Sequence, residues 1–372
     1  MVGVVKGDNT REVVLRLFQA VVLFSIIFPI FWFTNVQSIT LYLTTIKLHD
    51  SINEVVSDTK DIIEKLNISK SLQHAYTQRT VKAIPKEKTV KAIPNERPQN
   101  CDECFSRTFQ FLINNENICK SVNGSVEILI LITSSPQNIL ARNAVRETWL
   151  TFSEKNKGNI RYAFLLGESA RFKEIEKENY LTKDIVLGNF KDTYNNLTLK
   201  TLMGFQWTVK HCKNAKFVMK TDDDMYVNIP SLIRAIKKNT HTLQSAVGGR
   251  CFTTGKPNRD RRSKWYASIR SYPQRAYPGF CSGTGYVTSL NVVTKIVNIS
   301  VNVPFFHLED VYVSLCIRQL GFRLHPLNGF MDEHKFDPCI YTNDNLVTVH
   351  QVSVTMLRHI WVTPCTKRGK NI

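Results

Sequence analysis

Between Arg16 and Lys47 this 372-residue chain has no basic residue. Into that gap falls an almost wholly apolar run, Leu17 to Phe33, broken only by Gln19, Ser25 and Pro29. Its Leu, Ile, Val and Phe side chains together favour a bilayer by roughly 5 kcal/mol on the insertion scale. Thr34 and Val36 can extend the run to spanning length. Lys6, Arg11 and Arg16 precede it, so the positive-inside rule keeps the N-terminus cytoplasmic and carries the rest across the membrane. No small-x-small cleavage site follows closely, and the apolar core is overlong for a removed signal peptide. The expected arrangement is an uncleaved signal anchor.

Other absences narrow the field further. Cys101-x-x-Cys104 has no second Cys-x-x-Cys and no His pair beside it, so half of a structural disulfide framework is a better reading than a zinc site. The net charge of +18 raises the possibility of a nucleic-acid partner. The basic residues, however, are not grouped into a known nucleic-acid module, and an anchored, lumenal body opposes that reading. All nine cysteines lie beyond the anchor, which suits an oxidising compartment. Nine is odd, so at least one pairs between chains or not at all, and the connectivity stays open. Sequons at Asn67, Asn123, Asn196 and Asn298 agree with a lumenal location.

After the anchor comes a polar stretch, residues 45–100, containing the tandem repeat TVKAIPKEK and TVKAIPNER. One Pro in each copy opposes a continuous helix, and an extended spacer is expected. From about Val126 the texture changes. VEILILITS (126–134), IRYAFLLG (160–167), DIVLGNF (184–190) and KFVMKT (216–221) read as buried strands. NILARNAVRETWL (138–150) and TLKTLMGFQWTVKHC (198–212) read as helices between them. The alternation predicts an α/β fold with a mostly parallel central sheet, whose ligands gather at the carboxyl ends of the strands.

At such an end stand three adjacent acids, Asp222, Asp223 and Asp224. A solvated acidic loop is the plain alternative. An EF-hand is excluded, because its sixth and twelfth positions here are Val227 and Ile233. Capping of a helix starting near Asn228 and Pro230 would use one acid, not three. A divalent-cation site accounts for more: carboxylates are hard ligands suited to Mn²⁺ or Mg²⁺, and Asp222 and Asp224 point the same way at a strand end. Such a cluster would need a cation between itself and a diphosphate.

The motifs RNAVRETW (142–149), FLLG (164–167), DTYNNLTLKT (192–201), KTDDDMYVN (220–228), KWY (264–266), YPGFCSGTGYVTS (277–289), EDVYVSLC (309–316) and VTVHQVS (347–353) occur in consistent order. In them the chain resembles the β-1,3-galactosyltransferase group of glycosyltransferase family 31 over roughly residues 125–365. The resemblance implies a type II Golgi membrane enzyme with a GT-A-type nucleotide-sugar-binding fold. It would transfer galactose from UDP-galactose to O3 of an acceptor sugar, commonly N-acetylglucosamine, on a glycoprotein or glycolipid, with inversion. The implied layout is a cytoplasmic tail at 1–16, the anchor at 17–36, a lumenal stem at 37–120 and a catalytic domain at 121–372.

By the same resemblance Asp224 and His350 are metal ligands and Asp310 is the catalytic base. Arg142, Arg146, Lys220, Asp222 and Asp223 lie near the donor nucleotide. Trp265, Tyr266, Gly283, Gly285 and Glu309 are candidates for the acceptor side. Each also has a structural reading. Glu309 and Asp310 would suit the positive end of a helix closed by Gly321. His350 could be a hydrogen-bonded structural histidine, Trp265 and Tyr266 core or surface aromatics, and the two glycines a turn. A helix N-terminus lowers a carboxyl pKa while apolar neighbours raise it, so the balance at Asp310 is left to the structure. Two positions depart from the family pattern: Ser314 stands where Gly is usual, and Phe280 where Tyr is usual.

Overall fold

The computed structural model describes residues 109–120, 124–333, 337–363 and 365. The expected tail, anchor and most of the stem lie outside the described residues, as do Asn67, Asn123, Cys101 and Cys104. Among the described residues no helix is long and apolar enough to cross a membrane.

The described residues form eleven strands and seven α-helices. The strands are β1 (Phe111–Ile113), β2 (Val126–Thr133), β3 (Ile160–Glu168), β4 (Ile185–Lys191), β5 (Ala215–Asp222), β6 (Tyr226–Val227), β7 (Ala246–Phe252), β8 (Phe280–Ser289), β9 (Arg323–Pro326), β10 (Phe330–Met331) and β11 (Thr348–Val349). The helices are α1 (Ile139–Glu147), α2 (Phe172–Thr182), α3 (Leu197–His211), α4 (Ile229–Lys238), α5 (Leu290–Ser300), α6 (Glu309–Gln319) and α7 (Val354–Val362).

Eight strands form one sheet in the order β1-β4-β3-β2-β5-β8-β7-β9, and β10-β11-β6 form a small second sheet. The central four, β4-β3-β2-β5, are parallel. From β5 outward the sheet changes character: β5–β8 and β8–β7 are antiparallel, β7–β9 is parallel, and β1 joins β4 antiparallel. The expected mostly parallel sheet is therefore a mixed one, parallel in its first half, where helices link successive strands.

The continuous apolar runs of the central strands follow from burial on both faces. Leu129 and Leu131 of β2 pack with α3, α5 and α6 on one side. Ile128, Ile130 and Ile132 pack with α1, α2, α4 and α7 on the other. Helix α4 starts where the sequence indicates: the Asn228 side chain accepts from the Ser231 backbone N–H at 3.1 Å, with Pro230 in the first turn. Helix α6 ends before Gly321, whose φ of +70° is the left-handed conformation a C-terminal cap favours.

The stem boundary at residue 120 requires correction. Phe111–Ile113, assigned to the stem, adds the edge strand β1, and Cys119 is bonded to Cys212 at the end of α3. The folded body therefore begins before residue 111. Cys251–Cys281 joins β7 to β8, and Cys339–Cys365 joins the segment before β11 to the one after α7. Cys316 is buried in α6 and keeps its thiol.

Candidate active site

The site forms where the parallel half of the sheet meets the antiparallel half. Thr133 and Asp222 are partners at the carboxyl ends of β2 and β5, and the Thr133 hydroxyl donates to the Asp222 carboxylate. Two residues back on β5, the Lys220 ammonium donates to Asp222 Oδ1 at 2.7 Å and to the Gly283 carbonyl of β8 at 2.5 Å. The same ammonium stands 3.7 Å from Glu309 Oε2. Lys220 is buried, yet its pKa is raised. Burial opposes the charge, and the Asp222 and Glu309 carboxylates more than compensate.

The acids after β5 diverge. Asp223 turns back toward β2, accepting from Ser134 Oγ at 2.6 Å and Asn138 Nδ2 at 3.1 Å. Asp224 meets His350, with Oδ2 and Nε2 at 3.2 Å. The small sheet makes that meeting possible, because Val349 of β11 pairs with Tyr226 of β6. Burial opposes ionisation of Asp224, but the His350 hydrogen bond and charge hold its carboxyl below the usual range. Reciprocally, the hydrogen bond to Asp224 raises His350 against the effect of burial.

The opposite wall is the N-terminus of α6. Asp310 Oδ1 accepts from the Val311 N–H at 2.8 Å. Burial raises the Asp310 pKa; the backbone N–H of Val311 and the charge of Lys220 lower it, and burial wins. Glu309 is 6% exposed, and Tyr286 donates to its Oε1 at 2.5 Å. Burial pushes Glu309 up to about 7, more than Lys220 pulls it down. Gly283 lets β8 pass beneath these two acids: a Cβ there would come within 3.1 Å of Glu309 Oε2.

A cavity of about 500 Å³ opens over these groups, lined by Lys220, Asp222, Gly283, Glu309, Asp310 and His350 together with Tyr194 and Trp265. A second, of about 310 Å³, shares Trp265, Leu308 and Asp310 with the first and continues over Tyr277 and Phe280. Asp310 thus stands on the boundary between two cavities. Phe280, where the family pattern has Tyr, lines the smaller one, which so lacks a phenolic hydroxyl at that position. Ser314 lies further along α6, buried, and lines neither.

Other sequence expectations fare differently. Arg142 and Arg146 do not face the cavity. Arg142 is wholly buried and donates from Nε and Nη2 to Glu178 at 2.8 and 2.6 Å. Arg146 is held by Glu178 and Asp184 at 2.8 Å. Both guanidinium groups are thus engaged by carboxylates. Arg142 acts at one remove, donating at 2.9 Å to the Ser134 hydroxyl that in turn holds Asp223. Tyr266 lies outside both cavities, bridged through its backbone to Asn258. Gly283 and Gly285 are in the middle of β8, not in a turn. Asn196 precedes α3 without a side-chain cap bond and donates to the Lys191 carbonyl, whereas Asn298 is exposed on α5.

Two functional neighbours escaped the sequence reading. Tyr286 follows the CSGTG motif by alternation along β8, and its hydroxyl anchors Glu309. Lys200, inside DTYNNLTLKT, is a buried ammonium donating to the Ser134 carbonyl at 2.6 Å and to Asp192 at 2.9 Å.

Could these residues hold a divalent cation? Among the described residues no group of three or more His, Cys, Asp or Glu could do so alone. Asp224 Oδ2 and His350 Nε2 are nevertheless separated, at 3.2 Å, much as adjacent ligands about 2.1 Å from one ion would be. They fit as two ligands of an ion that takes its remaining oxygens from water and a substrate phosphate.

Glu309 makes the fold pH-sensitive in a definite direction. Its folded pKa of about 7 exceeds the ordinary 4.5, so the folded state holds a proton the unfolded chain releases between those values. Its stabilising contribution is complete below about pH 4.5 and is lost as pH rises through 7. Urea unfolding should show the wild type losing roughly 1–3 kcal/mol more than Glu309→Gln between pH 5 and 8. Parallel profiles would refute the assignment.

The comparisons with known proteins agree with this construction. The sequence profile of the galactosyltransferase family matches residues 140–328. β-1,3-Galactosyltransferase 1 of Mus musculus is 40% identical over 270 residues, covering 70% of this chain and 80% of that protein. The Homo sapiens protein of the same name matches to the same extent. β-1,3-Galactosyltransferase 5 of Homo sapiens is 36% identical over 251 residues, covering 66% of this chain and 80% of the relative. The matched segment runs from α1 through the β5 acids to Asp310 and so contains both walls of the cavity, and with these identities the chain belongs to the β-1,3-galactosyltransferase family.

Proposed function

We propose that this chain transfers galactose from UDP-galactose to O3 of an acceptor sugar, N-acetylglucosamine, with inversion at the anomeric carbon. The observation that carries the reading is the position of Asp310: a carboxylate with a raised pKa on the boundary between two cavities. Asp310 takes the proton of the acceptor O3–H as that oxygen bonds to galactose C1. The C1–O bond to the diphosphate breaks, and its electron pair leaves with UDP.

The larger cavity, with Lys220, Asp222 and His350, is the donor side. Asp224 and His350 would hold Mn²⁺ or Mg²⁺ there, which when bound offsets the charge developing on the leaving diphosphate. Lys220 keeps Asp222 and the Gly283 carbonyl in register across the β5–β8 seam. The smaller cavity, with its aromatic wall, receives the acceptor. Three disulfides suit an oxidising lumen. With the expected anchor, they support a type II Golgi membrane enzyme acting on glycoprotein or glycolipid glycans.

The test is transfer by the purified full chain from labelled UDP-galactose to a GlcNAc-terminated acceptor, with Mn²⁺ and then with EDTA. Galactose incorporation lost on chelation and restored by Mn²⁺ is the expected result. Transfer only from UDP-N-acetylglucosamine or UDP-N-acetylgalactosamine would overturn the donor, and UDP and glycan binding without turnover would make this a glycan-binding domain.

A further inference from the structure

Between β7 and β8 the chain leaves the sheet for residues 253–279 and returns at the Cys251–Cys281 disulfide. This excursion carries seven basic side chains and a single acid, Asp260. Some of that charge is already committed. Arg259 donates to the carbonyls of Ala267, Ser268, Tyr272 and Gln274, Arg262 pairs with Asp260, and the Lys264 ammonium stands 4.8 Å from the Trp265 ring centroid. Lys256, Arg261 and Arg275 are exposed and have no carboxylate partner among the described residues.

Charge is unequal across the mouth of the site. The larger cavity mixes charges: Asp222, Glu309, Asp310, Asp332 and Glu333 line it together with Lys220, Lys264 and His350, and Asp222 and Asp332 are paired with Lys220 and Arg250. Lys256 lines the smaller one, beside Trp265. The excursion, with seven basic side chains against one acid, carries net positive charge beside the smaller cavity and draws an anion to it. A neutral glycan would gain nothing from the uncommitted cations.

We infer that the acceptor is a glycan with a negatively charged substituent, a sulfate ester or a sugar carboxylate, on the residue next to the reacting one. Lys256 contacts that anion at the rim of the smaller cavity, and Arg261 and Arg275 strengthen the field that draws it there. Trp265, 53% exposed, presents an aromatic face to the sugar ring, which favours a glycan over an acidic polypeptide. The arrangement also orients the acceptor: its charged residue stays on the excursion, and its neutral end, with O3, faces Asp310. The inference rests on the transferase reading above.

The experiment measures equilibrium binding of two oligosaccharides to the full chain without a UDP-sugar. Both end in N-acetylglucosamine, and one carries a sulfate on the inner sugar. Expected is a sulfated ligand bound about tenfold more tightly at low ionic strength, the advantage falling below about twofold at about 1 M salt. In the Lys256→Glu, Arg261→Glu, Arg275→Glu variant, its fold checked by circular dichroism, the ratio of the two Kd values should fall to about one or below. Equal affinities in the wild type, or a ratio unmoved in the folded variant, would overturn the inference. So would an oligoglutamate peptide binding as tightly as the sulfated sugar while the two sugars bind alike. Binding of the sulfated sugar without any galactose transfer would leave the anion site standing and sink the transferase reading; equal binding with equal transfer to both sugars would do the reverse.

Discussion

Asp310→Asn is expected to lower kcat for galactose transfer by about 10²–10⁴-fold while changing UDP affinity less than about twofold. The substitution is nearly isosteric, and the amide oxygen can still accept the Val311 N–H that now meets Asp310 Oδ1 at 2.8 Å. It removes the negative charge and with it the capacity to take a proton. The alternative role for an acid at this position is to stabilise the positive end of α6, worth about 0.3–1 kcal/mol. That role predicts a slightly less stable helix and nearly full activity, so the two readings differ in both quantities. Steady-state kinetics together with UDP titration decides between them. A kcat within tenfold of the wild type would remove Asp310 from the chemistry.

Lys220→Met should cost roughly 3–5 kcal/mol of stability, the usual consequence of removing one partner from a buried charge cluster. The ammonium serves Asp222, Glu309 and the Gly283 carbonyl at once. A thioether of similar length fills the volume and satisfies none of them. In a body of this size the loss corresponds to a drop in Tm on the order of 10 °C. The deficit should be smaller at pH 5 than at pH 8, because Glu309, with its pKa already at about 7, is neutralised by protonation at the lower pH. Thermal melts at the two pH values are the measurement. A deficit equal at both pH values would mean that Lys220 does not offset the Glu309 charge.

Much of this was legible in the sequence. The central strands announced themselves because burial on both faces demands unbroken apolar runs, and Asn228 with Pro230 marked the start of α4 through cap chemistry that is local by nature. Strand β1 escaped because three residues with one buried side chain, Ile113, leave no period to detect. The antiparallel half of the sheet was hidden because β8 contains Ser282, Gly283, Thr284 and Gly285, residues that signal a turn until a neighbour needs their smallness. Gly283 has that reason in Glu309.

Within the site, motif position revealed proximity but not direction. Arg142 reaches Ser134 beside the β5 acids, yet the guanidinium groups of Arg142 and Arg146 are held by Glu178 and Asp184, carboxylates from distant segments that no local pattern connects to them. The acids after Asp222 show the same limit: Asp223 and Asp224 lie past the end of β5 in a turn, where strand alternation no longer sets direction, and they go to Ser134 and Asn138 and to His350 respectively.

The pairing of β6 with β11 sets an order of events during synthesis. Asp222, Lys220 and Glu309 all leave the ribosome before His350, which arrives with the last short strand and is followed only by α7 and the chain's final residues. Until that strand is threaded against Tyr226 and Val227, Asp224 lacks its partner, however complete the large sheet has become. A nascent chain therefore lacks the Asp224–His350 pair through nearly all of its synthesis. Premature stops between β9 and β11 would spare every strand of the large sheet yet remove both His350 and the buried Val349, Val352, Leu357 and Ile360 of the second core.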